Sequence, residues 1–167
     1  MGSHFNAITD EQAELIRNSH LFFVATADPA LGAGPDDIGP VNVSPRGATP
    51  LHIISPTRVA FLDYPGSGNE TARHANADGP ITLMVCSFDD NAAIVRLYGH
   101  ARATPIAESE LAERLLEDVA DELKHPRQVI DITIERTATS CGYGVPIMEY
   151  VRDRRLQDRG RRYKPKS

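Results

Sequence analysis

Cysteine is scarce in this 167-residue chain: Cys86 and Cys141 are the only two. Two cannot build a disulfide framework or, by themselves, a zinc site. Long apolar runs are missing as well. The longest, such as Leu21 to Ala25, reach about five or six residues, and a membrane-crossing helix needs about 20. No N-terminal stretch has the basic, apolar, small-residue order of a secretory signal. His20, His52, His74, His100 and His125 are scattered with no metal-ligand spacing, so no metal is expected. No Ser-His-Asp order or nucleophile elbow stands out. Repeats and low-complexity tracts are absent. These absences point to a protein without a membrane span, and a reducing cytoplasm is the simplest setting.

What is present is ordinary globular composition, 41% apolar and 25% charged, at a length that suits one domain. Residues 1–7 are read as an expression scar and a disordered N-terminus. Residues 8–150 form the domain, and residues 151–167 a basic tail. The tail holds six Arg and two Lys against two Asp, a local +6, so the first 150 residues carry −11 of the net −5. Three readings of the tail remain open: docking on its own domain or a partner subunit, meeting an anionic ligand, or touching nucleic acid. Docking is favoured and nucleic acid is not expected, because an acidic body attracts phosphate backbones poorly.

Thr9 with Gln12 three residues later is a capping box, opening a helix with Ala13, Leu15 and Ile16 on its apolar face. Leu21 to Ala27 reads as a buried strand, and Asp28 to Pro40, with three Pro and three Gly, as a long loop. Val41 to Ser44 is a short strand stopped by Pro45 and Gly47. Leu51 to Ile54 and Arg58 to Asp63 are strands around a turn at Pro56. Asn69 to Ala77 is a short helix after a Gly-Ser-Gly turn. Ile81 to Phe88, Ala93 to Ala103 and Val129 to Ile134 are strands. Leu111, Leu115, Val119 and Leu123 recur every four residues and predict a helix from about Ala107 to Leu123. The tail from Ile147 to about Arg159 reads as helical. The strands are mostly hairpin-connected and βαβ alternation is missing, so the fold class is mainly β: an antiparallel barrel or curled sheet with peripheral helices.

Three segments have residues suited to binding. In Pro65 to Thr71 a strand leads through glycines into a helix, and Ser67, Asn69 and Thr71 add donors around backbone that an oxyanion could approach. Glu70 is an awkward neighbour for an anion there. In Asn42 to Gly47, Asn42 and Ser44 share one strand face, and Arg46 offers a planar cation for a phosphate. In Ser140 to Gly144, glycines flank Tyr143, and the loop could lie against a flat ring. Cys141 is alternatively a nucleophile. Each segment also has an ordinary reading as a turn or hairpin end.

Their order is more specific than any one of them. Phe23-Val24-Ala25-Thr26 leads to Val41-Asn42-Val43-Ser44-Pro45-Arg46-Gly47, then Ala60-Phe61-Leu62-Asp63. Next come Gly66-Ser67-Gly68-Asn69-Glu70-Thr71, Ile81-Thr82-Leu83-Met84 and Arg96-Leu97-Tyr98-Gly99-His100, and last Ser140-Cys141-Gly142-Tyr143-Gly144. This closely resembles the pyridoxamine 5'-phosphate oxidase-like family of FMN-binding split β-barrels over about residues 20–150. The resemblance implies a split antiparallel β-barrel that forms a homodimer, with FMN at the subunit interface. It implies cofactor contacts from Asn42, Val43, Ser44, Arg46 and Gly47, from Leu62 and Asp63, and from Ser67, Gly68, Asn69, Glu70 and Thr71. Arg96, Cys141, Gly142 and Tyr143 would face the flavin from the partner subunit. The implied activity is flavin-mediated hydride transfer between a small substrate and an acceptor, with NAD(P)H a candidate donor. Tyr143, Cys141 and His100 are the polar groups to test for catalysis. The alternatives are a non-catalytic flavin carrier or redox sensor and, ranked lower, a haem- or deazaflavin-binding barrel.

The chain departs from true pyridoxamine 5'-phosphate oxidases. It has no Trp. Arg155-Leu156-Gln157-Asp158-Arg159 matches four of five residues of their substrate-binding signature, with Gln157 in place of His. The aromatic segment upstream of that signature is missing, so true vitamin B6 oxidase activity is not the expected reading.

Overall fold

The computed structural model describes residues 2–32, 39–66 and 68–154. In chain order the strands are β1 (Ser3–Phe5), β2 (Leu21–Ala27), β3 (Val41–Gly47), β4 (His52–Ser55), β5 (Arg58–Asp63), β6 (Pro80–Cys86), β7 (Ala93–Pro105) and β8 (Gln128–Cys141). The α-helices are α1 (Asp10–Asn18), α2 (Glu70–Asn76) and α3 (Ala112–Glu117). Among the described residues every strand pairing is antiparallel, in the order β3-β2-β6-β7-β8-β5-β4, with β1 added to β8. This is the mainly β architecture expected from the sequence.

The sheet curls on itself. Phe22 on β2 and Phe61 on β5 meet edge to face with ring centroids 5.4 Å apart, although three strands separate them in the sheet order. The interior is filled by Val24, Val59, Phe61, Leu83, Val85, Leu97, Ile130 and Ile132. Such a layer of branched and aromatic side chains fills a small barrel with no room for a channel. β5 is buried on both faces. Val59 and Phe61 point into the barrel, and Ala60 and Leu62 join Leu111, Leu115, Val119 and Val129 in a second cluster outside it. A strand covered on both faces reads as a continuous apolar run, which is what Val59 to Leu62 is.

β7 and β8 form the long side of the barrel, pairing from Ala93↔Cys141 to Pro105↔Gln128. The register shifts between Tyr98 and Gly99. A side chain at Gly99 would collide with the backbone carbonyl of Thr133, so glycine is required where the two strands bend together. β3 and β4 are the two ends of the sheet, and no ladder joins them among the described residues. That gap is the split of the barrel.

The capping box is formed. Thr9 N–H donates to Gln12 Oε1 at 3.1 Å, and Gln12 N–H donates to Thr9 Oγ1 at 3.3 Å. Gln12 Nε2 also donates to Thr139 Oγ1 at 2.9 Å, tying α1 to β8.

Several boundaries differ from those read in the sequence. Strand β3 runs through Pro45 to Gly47. It is an edge strand, where a missing N–H leaves no ladder bond broken. Strand β8 continues from Ile134 to Cys141 because β7 and β1 pair with it there, so Ser140 and Cys141 belong to a strand and only the turn from Gly142 to Val145 remains loop. The helix expected over 107–123 is broken into α3 and two single 3-10 turns, at Ile106–Glu108 and Asp121–Leu123. Leu111, Leu115 and Val119 are nevertheless buried together against β5, so the four-residue spacing reported the buried face correctly and the helix length wrongly. Ser3–Phe5 pairs with Thr137–Thr139 and is therefore ordered strand. Residues 147–154 are not helical, and the remainder of the expected tail helix lies outside the described residues.

Candidate functional site

The split opens as a cleft of about 520 Å³, lined by Gly39, Val41, Asn42, Ser44, Pro45, Arg46, Tyr64, Gly66, Gly68, Asn69, Glu70, Thr71 and Arg127. Strand alternation builds one wall. Asn42, Ser44 and Arg46 face inward and half-buried, and the exposed Val41, Val43, Pro45 and Gly47 alternate with them, Val41 and Pro45 also reaching the cleft rim. The turn after β5 and the start of α2 build the other wall.

Side chains bridge the split where backbone does not. Asn42 Nδ2 on β3 donates to Thr71 Oγ1 on α2 at 3.2 Å, and to Ser44 Oγ at 3.1 Å. Arg46 Nη1 donates to Asp63 Oδ1 at 2.7 Å. The Asp63 carboxylate is 1% exposed and serves three donors. Its Oδ2 accepts from Arg127 Nε and from Gln128 Nε2, each at 2.7 Å. Arg127 Nη2 reaches on to the Gly68 carbonyl at 3.0 Å, and Gln128 Nε2 to Asn69 Oδ1 at 2.9 Å. Two guanidinium groups thus share one carboxylate, and Glu70, which also lines the cleft, brings a second negative charge beside them. Arg46 Nε is buried and has no hydrogen-bond partner among the described residues. An unpaired buried donor is costly, and a ligand acceptor would satisfy it.

Behind this wall, Thr26 on β2 meets Nδ1 of His74 on α2 at 2.9 Å, both buried. Tyr64 donates its hydroxyl to the Leu123 carbonyl at 2.6 Å, and burial pushes its phenol above the ordinary value. Glu70 lies over Gly68 so closely that a side chain on Gly68 would collide with its carboxylate. The carboxylate is the free end of a flexible side chain and can swing aside, so the contact does not by itself require glycine. Asn69 precedes α2 without capping it; its side-chain oxygen is engaged by Gln128.

The cleft therefore gathers Asn42, Ser44, Arg46, Gly68, Asn69, Glu70 and Thr71 from the residues selected in the sequence. Val43 points to the exposed face, and Gly47 does not line the cleft. Leu62 is packed in the outer apolar cluster. Asp63 lies beneath the arginines rather than on the surface they present. Ser67 lies outside the described residues. The remaining candidates do not line this cleft within one chain. Arg96 Nη1 donates to Ser140 Oγ at 2.9 Å on the β7–β8 side. Cys141 ends β8, thirteen residues beyond Gln128 and about 40 Å of extended strand away. Gly142 lies in the turn that follows, and Tyr143 there is 93% exposed. His100 on β7 lies 3.5 Å from an Asp78 oxygen and 3.7 Å from a Glu135 oxygen. Both cysteines are free, and burial raises the Cys86 thiol. Among the described residues no group of three or more His, Cys, Asp or Glu could hold a metal ion, and no helix is long and apolar enough to cross a membrane.

Sequence reasoning missed Arg127 and Gln128. They stand just before the alternating run of β8, and β5–β8 pairing sets Gln128 opposite Asp63. That pairing is the only signal that would have found them.

Comparison with known proteins places this geometry. The family profile described as pyridoxamine 5'-phosphate oxidase matches residues 8–141. The pyridoxamine 5'-phosphate oxidase family protein ustO of Aspergillus flavus is 31% identical over 151 residues, covering 89% of this chain. The chain spans 58% of that relative's length. A crystal structure of a candidate pyridoxamine 5'-phosphate oxidase from Lactobacillus delbrueckii superposes with a TM-score of 0.58 at 20% identity, over 80% of this chain and 94% of that one. An FMN-binding protein from Syntrophomonas wolfei superposes with a TM-score of 0.54 at 14% identity, over 76% and 86%. At these identities the two structures speak to the fold, and both agree with the split barrel described above.

Proposed function

The chain belongs to the pyridoxamine 5'-phosphate oxidase family, and from that premise we propose that its cleft binds FMN and that the protein is a flavin-dependent oxidoreductase acting on a small substrate. The observation that carries this reading is the arginine pair on the shared carboxylate of Asp63, with the Arg46 Nε left unsatisfied. Two guanidinium groups at one cleft wall, with a buried N–H left unpaired, suit a phosphate monoester, and Glu70 in the same lining offsets part of their charge. The cleft volume of about 520 Å³ lies within the usual range for cofactor sites. The Syntrophomonas wolfei neighbour, an FMN-binding protein, supports the same choice.

In this reading Arg46 and Arg127 hold the phosphate. Asn42, Ser44 and Thr71 offer neutral donors and acceptors to the rest of the nucleotide. Bound flavin supplies hydride chemistry, and the residues of this chain orient it and exclude water. The proposed assembly is a homodimer, whose partner brings Arg96, Cys141, Gly142 and Tyr143 to the flavin. Two exposed apolar surfaces support it: Val41 and Val43 on the outer face of β3, 63% and 64% exposed, and the segment carrying Tyr143, Ile147 and Val151. Family resemblance makes Tyr143, Cys141 and His100 the first groups to vary for catalysis.

The test is an absorption spectrum of the purified protein after addition of FMN and desalting. Retained flavin bands, with FMN released on denaturation, are expected. A protein that leaves the column colourless would overturn the cofactor assignment. Reduction of the retained flavin by NADH or NADPH, followed by turnover with an acceptor, separates an oxidoreductase from a flavin carrier.

A further inference from the structure

We infer that Asp63 is a positioning residue. It arms Arg46 and Arg127 for the phosphate of the bound nucleotide, and it does so without touching the ligand itself. The inference rests on the FMN reading above and adds what makes the phosphate end selective.

Three observations carry it. First, Asp63 is 1% exposed, and both its oxygens are occupied by Arg46, Arg127 and Gln128, each at 2.7 Å. It has no open face to offer a ligand. Second, its three partners come from distant parts of the chain, Arg46 from β3, Gln128 from the first position of β8 and Arg127 from the residue before it. The Arg127 N–H also donates to the Asp63 carbonyl at 2.9 Å, so backbone and side chain of one residue fix the second arginine. Third, Gln128 and Arg127 extend the network to Asn69 and the Gly68 carbonyl in the turn on the opposite wall. A carboxylate so placed keeps two like charges together that would otherwise repel, and fixes the direction of each planar donor set. The guanidinium N–H groups that Asp63 does not take remain for an acceptor entering the cleft, where the Glu70 carboxylate is their competitor.

The experiment compares two probes that share the isoalloxazine ring and differ in the phosphate. Equilibrium affinities for FMN and riboflavin are measured by flavin fluorescence on the wild-type chain and on Asp63→Asn, with circular dichroism and thermal melting as checks of folding. The wild type is expected to prefer FMN at least 100-fold. Asp63→Asn is expected to lose at least 10-fold of that preference while riboflavin affinity changes less than about threefold. A merely structural role would weaken both probes alike, and that result overturns the inference. So does an unchanged preference. A wild type that binds both probes equally would instead overturn the phosphate assignment of the preceding subsection. If Asp63→Asn does not fold, Asp63→Glu replaces it: the charge is kept but pushed outward by one methylene. It is expected to lose several-fold of the preference, and retention of the wild-type value overturns the inference.

Discussion

The sheet has two ends, and they are finished in different ways. At the β4 end the outer face is roofed by the chain itself. Leu111, Leu115 and Val119 pack on Ala60, Leu62 and Val129, and Ile54 of β4 is drawn into the same cluster. At the β3 end the inward face is polar and opens on the cleft, and the outward face leaves two valines in solvent. A free edge with an apolar outer face is a liability for a lone protein. The β4 end is complete within one chain. The β3 end is left open, and in the proposed reading a nucleotide completes it on one side and a second subunit on the other.

Substitutions at the two ends should therefore fail in different currencies. The largest effect on stability belongs to the roof. Leu115 is fully buried, and Leu115→Ala is expected to cost about 3 kcal/mol, the usual scale for an emptied core site. Chemical denaturation measures it. The same variant should retain its FMN affinity within about threefold once folded, because the roof reaches the cleft through Tyr64, whose hydroxyl is held by the Leu123 carbonyl and not by Leu115. A parallel loss of both would mean that the two ends are energetically one unit.

At the cleft the order reverses. Arg46→Ala removes one charged donor set and takes from Asp63 Oδ1 its partner, while Oδ2 keeps Arg127 and Gln128. FMN affinity is expected to fall about 10- to 100-fold, the worth of one or two charge-assisted hydrogen bonds, with an unfolding cost of about 1 to 2 kcal/mol from the buried carboxylate oxygen left unpaired, less than that of Leu115→Ala. Thr71→Ala, which loses the neutral bond from Asn42, should weaken FMN binding by less than Arg46→Ala. Unchanged affinity in both variants would remove this cleft as the flavin site. On the outer face of the same strand, Val43→Lys is expected to shift sedimentation from dimer to monomer with a stability cost under about 0.5 kcal/mol. A dimer that survives the substitution would place the interface elsewhere.

The same contrast explains what could be read in advance. Asn42 and Ser44 were legible because alternation along a strand assigns faces from sequence alone, and Arg46 because its guanidinium suits a phosphate, although the sequence predicts that the strand stops before it. The glycine-bounded turn and α2 were legible because their punctuation is local. Arg127 was not. It stands 64 residues from Asp63, and only the antiparallel pairing of β5 with β8 brings them together. Asp63 was selected as a cofactor contact, but its burial beneath three donors depends on those same long-range partners. The outer helix failed in the opposite sense. Its four-residue spacing correctly marked a buried face, yet the chain broke into short turns while keeping that face buried. Periodicity reports which residues pack and says less about how many turns connect them.

The smallest predicted effect is a pH dependence at the roofed end. His52 on β4 is buried, with Nδ1 3.3 Å from Asp118 Oδ2 and Nε2 without a partner among the described residues. Burial holds its pKa below the ordinary 6.5; Asp118 opposes that shift and Arg114 adds to it. The unfolded chain therefore takes up a proton at a pH where the folded chain does not. Below pH 6.5 this uptake favours unfolding, so the His52 contribution is complete above pH 6.5 and is lost as the pH falls from there toward the lower folded value. Urea unfolding at pH 7.5 and at pH 5.5 should show a larger acid-induced loss of stability in the wild type than in His52→Gln. Equal losses would mean that the Asp118 carboxylate fully offsets the burial, and that the roof tolerates a charge as readily as the open end of the sheet does.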